Sequence, residues 1–134
     1  MKVRFPLILF VAAVVTGSVQ SETKLRDTGL VCAVDMGSNT FKFIVAEIKN
    51  GDYLQYTDNR KTAGVGDDLR KSETTSGHKV ISDSKLEEIK SLLKEFQKEC
   101  EQKTRSRKIY GIATAAFREA ENLKTISKEI QKMG

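Results

Sequence analysis

Residues 31–48, VCAVDMGSNTFKFIVAEI, decide the fold. The stretch reads as strand, tight turn, strand. Cys32 to Val34 are apolar and β-prone, and Phe41, Phe43 and Val45 recur with a period of two. Between the runs lies Asp35-Met-Gly-Ser-Asn-Thr40. A carboxylate at the end of an apolar strand is costly unless a metal, a water or a donor partners it. Gly37 would let the chain turn with a positive φ. Ser38, Asn39 and Thr40 offer side-chain donors, and the N–H groups of such a turn can form a nest for phosphate. The alternative is an ordinary β-hairpin with a polar turn.

Residues 109–122, IYGIATAAFREAEN, read as a second strand running into a helix. The two stretches together resemble the N-terminal half of the exopolyphosphatase/guanosine-pentaphosphate phosphatase (Ppx/GppA) family. That family opens with a strand ending Asp-x-Gly-Ser-Asn-Ser/Thr, here Asp35 to Thr40. It later carries Ala-Thr-x-Ala-x-Arg-x-Ala-x-Asn, here Ala113 to Asn122. The first motif is shared in a related form by sugar and acetate kinases of the same actin-like superfamily. The pair in this order is the specific signal, and the resemblance covers roughly residue 30 onward.

The resemblance implies an α/β, ribonuclease-H-like half-domain of the actin-like ATPase superfamily. Its mixed sheet would have three antiparallel strands and then a parallel one, with helices packed on it. It also implies hydrolysis of the terminal phosphate of inorganic polyphosphate with Mg²⁺, or of guanosine pentaphosphate. Asp35 would hold the metal. Gly37, Ser38, Asn39, Thr40, Thr114 and Arg118 would bind phosphate, the Arg fork suiting phosphate oxygens. An Arg118 paired on the surface with Glu119 or Glu121 is the plainer alternative. The family's presumed catalytic glutamate lies in a Gly-x-Glu-Glu-Ala segment, and its second phosphate loop reads Asp-x-Gly-Gly-Gly-Ser. Neither motif occurs in residues 1–134. No catalytic residue is therefore assigned, and the chain is expected to supply half of a phosphate site, with little activity alone. A non-catalytic polyphosphate-binding module and a sugar-kinase-like domain are the readings from other classes.

Length and composition bound these readings. The 134 residues suit one domain, and 39% hydrophobic with 31% charged residues is a globular composition. Net charge is +5, of which Lys2 and Arg4 supply two. The remaining +3 does not argue for nucleic acid. Cys32 and Cys100 fall on apolar positions and read most simply as two buried thiols, since two cysteines make no framework. His78 reads as a solvated loop residue.

In chain order, residues 1–21 read as an export signal: Lys2 and Arg4, an apolar run from Phe5 to Val15, then small residues with cleavage near Ser18 or Ser21. The run is short of the roughly twenty residues needed to span a bilayer. A periplasmic or secreted location without a stable membrane anchor follows, or a cytoplasmic one if the signal reading fails. Export favours polyphosphate over an intracellular nucleotide. Residues 22–29 read as a flexible lead-in, and residues 30–134 as the domain, with a homodimer left open.

Strands are expected near 30–36, 40–49 and 53–63, with Asn50-Gly51 as the turn of an antiparallel hairpin. Residues 62–79, rich in Gly, Ser, Thr and Asp, read as a surface loop. A helix is expected from Ser82 or Ser84, with Leu86, Ile89, Leu92, Leu93, Phe96 and Cys100 on one face. The basic turn from Lys103 to Lys108 reads as a helix C-terminus favoured by cations, with polyanion steering as the other option. The strand near 108–113 should lie parallel to the first, because a helical crossover separates them. Ligand sites of parallel sheets lie at the carboxyl ends of the strands. That places Thr114 and the turn after Asp35 on one rim. Asn122 reads as a helix break or cap.

Overall fold

The computed structural model describes residues 28–133; the expected export signal (residues 1–21) and residues 22–27 of the expected lead-in lie outside that range. Strand β1 (Thr28–Met36) begins two residues before the expected start, and β2 (Thr40–Lys49) runs antiparallel beside it. Cys32, Val34 and Met36 of β1 and Phe41, Phe43 and Val45 of β2 are all buried. This is the period-two pattern of the sequence, laid against one layer of helices. The turn to β3 (Asp52–Thr62) uses Asn50 at φ 53° and Gly51 at φ 86°. Two consecutive positive φ values match the right-handed twist of a tight hairpin. A register shift between Val45 and Ala46 leaves Tyr56 as the extra residue on β3. The Val45 N–H there donates to Thr57 Oγ1 at 2.9 Å. As an edge strand, β3 is charged: Asp58 joins Lys42 at 3.3 Å and Arg60 at 3.1 Å.

Residues 62–79 are not a loop. They hold helix α1 (Val65–Ser76), bounded by Gly64 and Gly77. Only Val65 and Leu69 of it are buried, so no long apolar stripe announces it in the sequence. Thr74, Thr75 and Ser76 fold their hydroxyls back onto the carbonyls of Arg70, Lys71 and Ser72. Short polar side chains that favour turns in isolation are thereby satisfied within a helix. Helix α2 (Asp83–Thr104) starts at Ser82, whose Oγ accepts from the Lys85 N–H at 3.2 Å. Ser82, not Ser84, is therefore the cap.

The buried stripe of α2 runs from Leu86 to Cys100 and lies over β1 and β2, where Phe96 stacks on Phe43 at 4.9 Å. Cys100 reaches Cys32 and the two form a disulfide, with Cα atoms 6.0 Å apart. The expectation of two separate thiols is corrected here. The central strand and the crossover helix press the two buried cysteines together, a tertiary meeting that spacing does not reveal. Helix α2 ends at Arg105, at φ 59°, and the chain returns as β4 (Ile109–Ala113), parallel to β1. Helices α3 (Ala115–Glu119) and α4 (Leu123–Gln131) follow.

The sheet order is β3-β2-β1-β4, which is the expected mixed α/β arrangement, with β1 inside the sheet and β4 at an edge. One core cluster joins the buried side chains of β1, β2 and β4 to those of all four helices. The helices therefore share one face. On the other face Ala33 and Ile44 are half-buried, and Asp35, Tyr110 and Ile112 are exposed.

Candidate phosphate site at the C-terminal rim of the sheet

The carboxyl ends of β1 and β4 lie side by side, with Asp35 opposite Ile112 and Met36 opposite Ala113. Thr114 joins them beyond the last pair. Its N–H donates to the Met36 carbonyl at 3.2 Å, and its hydroxyl donates to the same oxygen at 3.1 Å. Two segments 78 residues apart are thus fastened at one rim, as the parallel pairing required. The hydroxyl proton of Thr114 is committed to that tie. The tie joins the two segments.

The β1–β2 turn closes through the Gly37 N–H, which donates to Thr40 O at 3.1 Å. Gly37 does not take the expected positive φ; a Cβ there would stand 2.7 Å from that oxygen, so the close approach is what excludes any larger residue without a shift. The turn is buttressed from behind. Asn39 O accepts from Ala63 N at 2.7 Å and Gly64 N at 3.0 Å, and Ser38 O accepts from Gly66 N at 2.8 Å. The start of α1 therefore holds the turn by its carbonyls, which leaves the side chains of Ser38, Asn39 and Thr40 outside these contacts. This role of residues 63–66 was not visible in the sequence. Their three backbone hydrogen bonds depend on how the chain returns from β3, and no motif encodes that.

Asp35 alternates onto the face without helices and is exposed. Arg118 belongs to the helix layer, on the last turn of α3 and exposed; its N–H donates to Thr114 O at 3.3 Å. Asp35 and Arg118 thus belong to opposite faces of the sheet, Asp35 to the open face and Arg118 to the helix layer, at the same end of β1 and β4. Among the described residues, no ion pair links Arg118 to Glu119 or Glu121, and those acids have other partners. Glu119 joins Lys79 at 3.2 Å, and Lys79 also meets Glu73 at 3.8 Å. Hydrogen bonding to Glu119, reinforced by the charge of Glu73, raises the Lys79 pKa. Glu121 accepts from the Lys79 N–H at 3.0 Å and stands 3.0 Å from His78 Nδ1. The Lys79 N–H, and then His78, lower its pKa.

Asn122 has a second function besides breaking the helix. Its Oδ1 accepts from Ile81 N at 3.0 Å and its Nδ2 donates to Ile81 O at 2.8 Å. This fixes the α3–α4 corner, and with it Arg118, to the segment leading into α2. Asp68 ties the other side of that segment, accepting from Ser82 N and Ser82 Oγ at 2.8 Å each. Between the turn, α1 and α3 lies a concavity lined by Ser38, Gly66, Arg70, Lys79 and Glu119. Among the described residues no cluster of three His, Cys, Asp or Glu side chains could hold a metal. Asp35 is the carboxylate at the turn itself. One carboxylate with hydroxyl neighbours fits Mg²⁺, which is commonly held by one or two carboxylates, retained waters and the substrate's phosphates.

No protein-family model and no curated protein matches this sequence. Solved structures do match the fold. One, described as the Aquifex aeolicus PPX-GPPA enzyme, has a TM-score of 0.64 at 21% identity, over 79% of this chain and 33% of that one. An exopolyphosphatase from Cytophaga hutchinsonii has a TM-score of 0.63 at 20% identity, over 77% and 31%. A protein described as exopolyphosphatase-like has a TM-score of 0.62 at 22% identity, over 80% and 31%. The chain has the fold of these Ppx/GppA and exopolyphosphatase structures and spans about a third of their length.

Proposed function

We propose that the chain supplies the phosphate-binding half of an exopolyphosphatase-type site that removes the terminal phosphate of inorganic polyphosphate. The observation that carries this reading is the double hydrogen bond from Thr114 to the Met36 carbonyl. It brings the Asp35–Thr40 turn and the Arg118 helix to one rim. Backbone N–H groups of the turn, with the side chains of Ser38, Asn39 and Thr40, receive the phosphate oxygens. Arg118 neutralises their charge through paired N–H donors, stronger than neutral hydrogen bonds. Asp35 holds Mg²⁺ directly or through a water. The ion, when bound, screens and polarises phosphate oxygens. The residues of this chain bind and orient the phosphate, and no side chain is assigned as the base that activates water. Guanosine pentaphosphate is the alternative substrate, with the same terminal phosphoanhydride.

Two features favour polyphosphate. The Cys32–Cys100 disulfide fits an oxidising compartment. The basic and apolar sequence of residues 1–21 fits an export signal that leads there. Cell fractionation tests the location, and finding the chain with the cytoplasmic markers in reduced form defeats this part of the reading.

The activity test measures Mg²⁺-dependent binding of polyphosphate and release of inorganic phosphate, with and without Arg118→Ala. Charge-assisted hydrogen bonds contribute about 1.5–3 kcal/mol, so the substitution should weaken binding by roughly tenfold to a hundredfold. Binding without phosphate release favours the non-catalytic module. Binding that is unchanged by Arg118→Ala removes Arg118 from the site.

A further inference from the structure

The rim opposite the phosphate site carries apolar and cationic groups that neither the core nor that site uses. It is built from the start of β1, the β2–β3 turn, the start of β4 and residues 105–108 between α2 and β4. Tyr53, Leu54, Tyr56 and Leu30 are 74%, 60%, 53% and 42% exposed there. The strand register sets Leu30, Glu47 and Leu54 in one row, and Leu30, Tyr56 and Lys103 line one shallow concavity. Beside them Lys49, Arg105 and Lys108 are exposed, with Lys108 Nζ 5.0 Å over the Tyr110 ring. Of the acids nearby, Glu47 accepts from the Tyr56 hydroxyl at 2.5 Å, Glu101 pairs with Arg107 at 3.4 Å, and Asp52 is exposed in the β2–β3 turn opposite Lys49.

Scattered exposed apolar residues are ordinary on a protein surface. Aromatic rings and leucines interleaved with cations at one end of a fold are different. They match a headgroup layer, where amphipathic rings lodge at the interface and cations meet anionic lipid. A second copy of this chain would oppose like charges at this rim. A polyanion in solution would engage the cations but gain nothing from Leu54 or Leu30. Strand β1 also begins at this rim, at Thr28.

We infer that this rim docks the protein on an anionic lipid surface. Lys103, Arg105 and Lys108 face the headgroups, and Tyr53 and Leu54 enter the interface. The turn from Asp35 to Thr40, at the other end of β1, then faces solution. The inference stands apart from the phosphate-site reading and survives its failure.

Co-sedimentation of the full chain tests it, using phosphatidylcholine vesicles with and without one third phosphatidylglycerol. The N-terminal sequence is the same in every variant, so differences report the rim. Each cation near an anionic surface contributes about fivefold in affinity, so K103Q/R105Q/K108Q should lower binding to the anionic vesicles by roughly a hundredfold at low salt. Y53S/L54S should weaken binding to both kinds of vesicle. K71Q/K124Q/K128Q removes the same charge elsewhere and should change binding by no more than a few-fold. Melting curves confirm that each variant is folded. The inference is overturned if the third variant loses as much as the first, or if the preference for anionic vesicles survives K103Q/R105Q/K108Q. It is also overturned if the rim variants lose polyphosphate binding while keeping vesicle binding.

Discussion

Opening the Cys32–Cys100 bridge should cost the fold about 4 kcal/mol at 25 °C by the chain-entropy relation, because the two cysteines are 68 residues apart. That loop takes in β2, β3, α1 and nearly all of α2, so the bridge restrains most of the sheet and its crossover in the unfolded chain. In the folded protein Cys32 and Cys100 are almost wholly buried, 1% and 0% exposed. The double variant C32A/C100A keeps both positions apolar and removes only the bridge and two sulfur atoms. For a domain of this size, 1 kcal/mol corresponds to roughly 4–8 °C in Tm, so the variant should melt roughly 15–30 °C lower. The assay is urea unfolding of the oxidised protein, the reduced protein and the double variant. The reduced protein and the variant should lose similar stability. A loss under about 1 kcal/mol in both would refute the reasoning, since it would mean that the bridge neither restrains the unfolded chain nor holds α2 on β1.

Gly37→Ala places a methyl group 2.7 Å from Thr40 O and should cost about 1–3 kcal/mol, read by chemical denaturation, with polyphosphate binding lost at temperatures where the variant is still folded. Asn122→Ala leaves the Ile81 N–H and carbonyl without their partners and should cost about 1–3 kcal/mol; Asn122→Asp, which keeps the acceptor, should lose less in the same assay. Glu121 has a lowered pKa in the fold, so its contribution is present above the unfolded value near 4.5 and is lost as pH falls through the folded value. Stability measured from pH 6 down to pH 3 should therefore fall less steeply in Glu121→Gln than in the parent.

The sheet was legible in the sequence because its signals are local. The period-two run from Phe41 to Val45, the Asn50-Gly51 turn and the stripe from Leu86 to Cys100 each lie within one continuous stretch, and each forms the element it indicates. The parallel pairing of β1 with β4 followed from the helix between them. The features that stayed hidden are tertiary. Helix α1 carries two buried residues and is otherwise polar, so its periodicity is faint. The disulfide depends on where α2 crosses β1.

At the site, the Asp35–Thr40 turn and the Thr114–Arg118 segment could be placed on one rim from topology alone. Topology could not show that Thr114 gives its hydroxyl proton to Met36 O, or that residues 63–66 hold the turn by its carbonyls. Nor could it show that Asn122 clamps Ile81. Each of these contacts joins a side chain or amide to a backbone atom far along the sequence. Composition and spacing carry no trace of such pairings.

Amide chemical shifts of ¹⁵N-labelled protein, followed through a titration with short-chain polyphosphate and Mg²⁺, probe the shared rim most directly. The shifts should concentrate at residues 37–40 and 115–118, saturate together with one Kd, and weaken together in Arg118→Ala. Shifts confined to residues 103–108, or two groups of shifts with separate Kd values, would show that the two segments do not hold one phosphate between them.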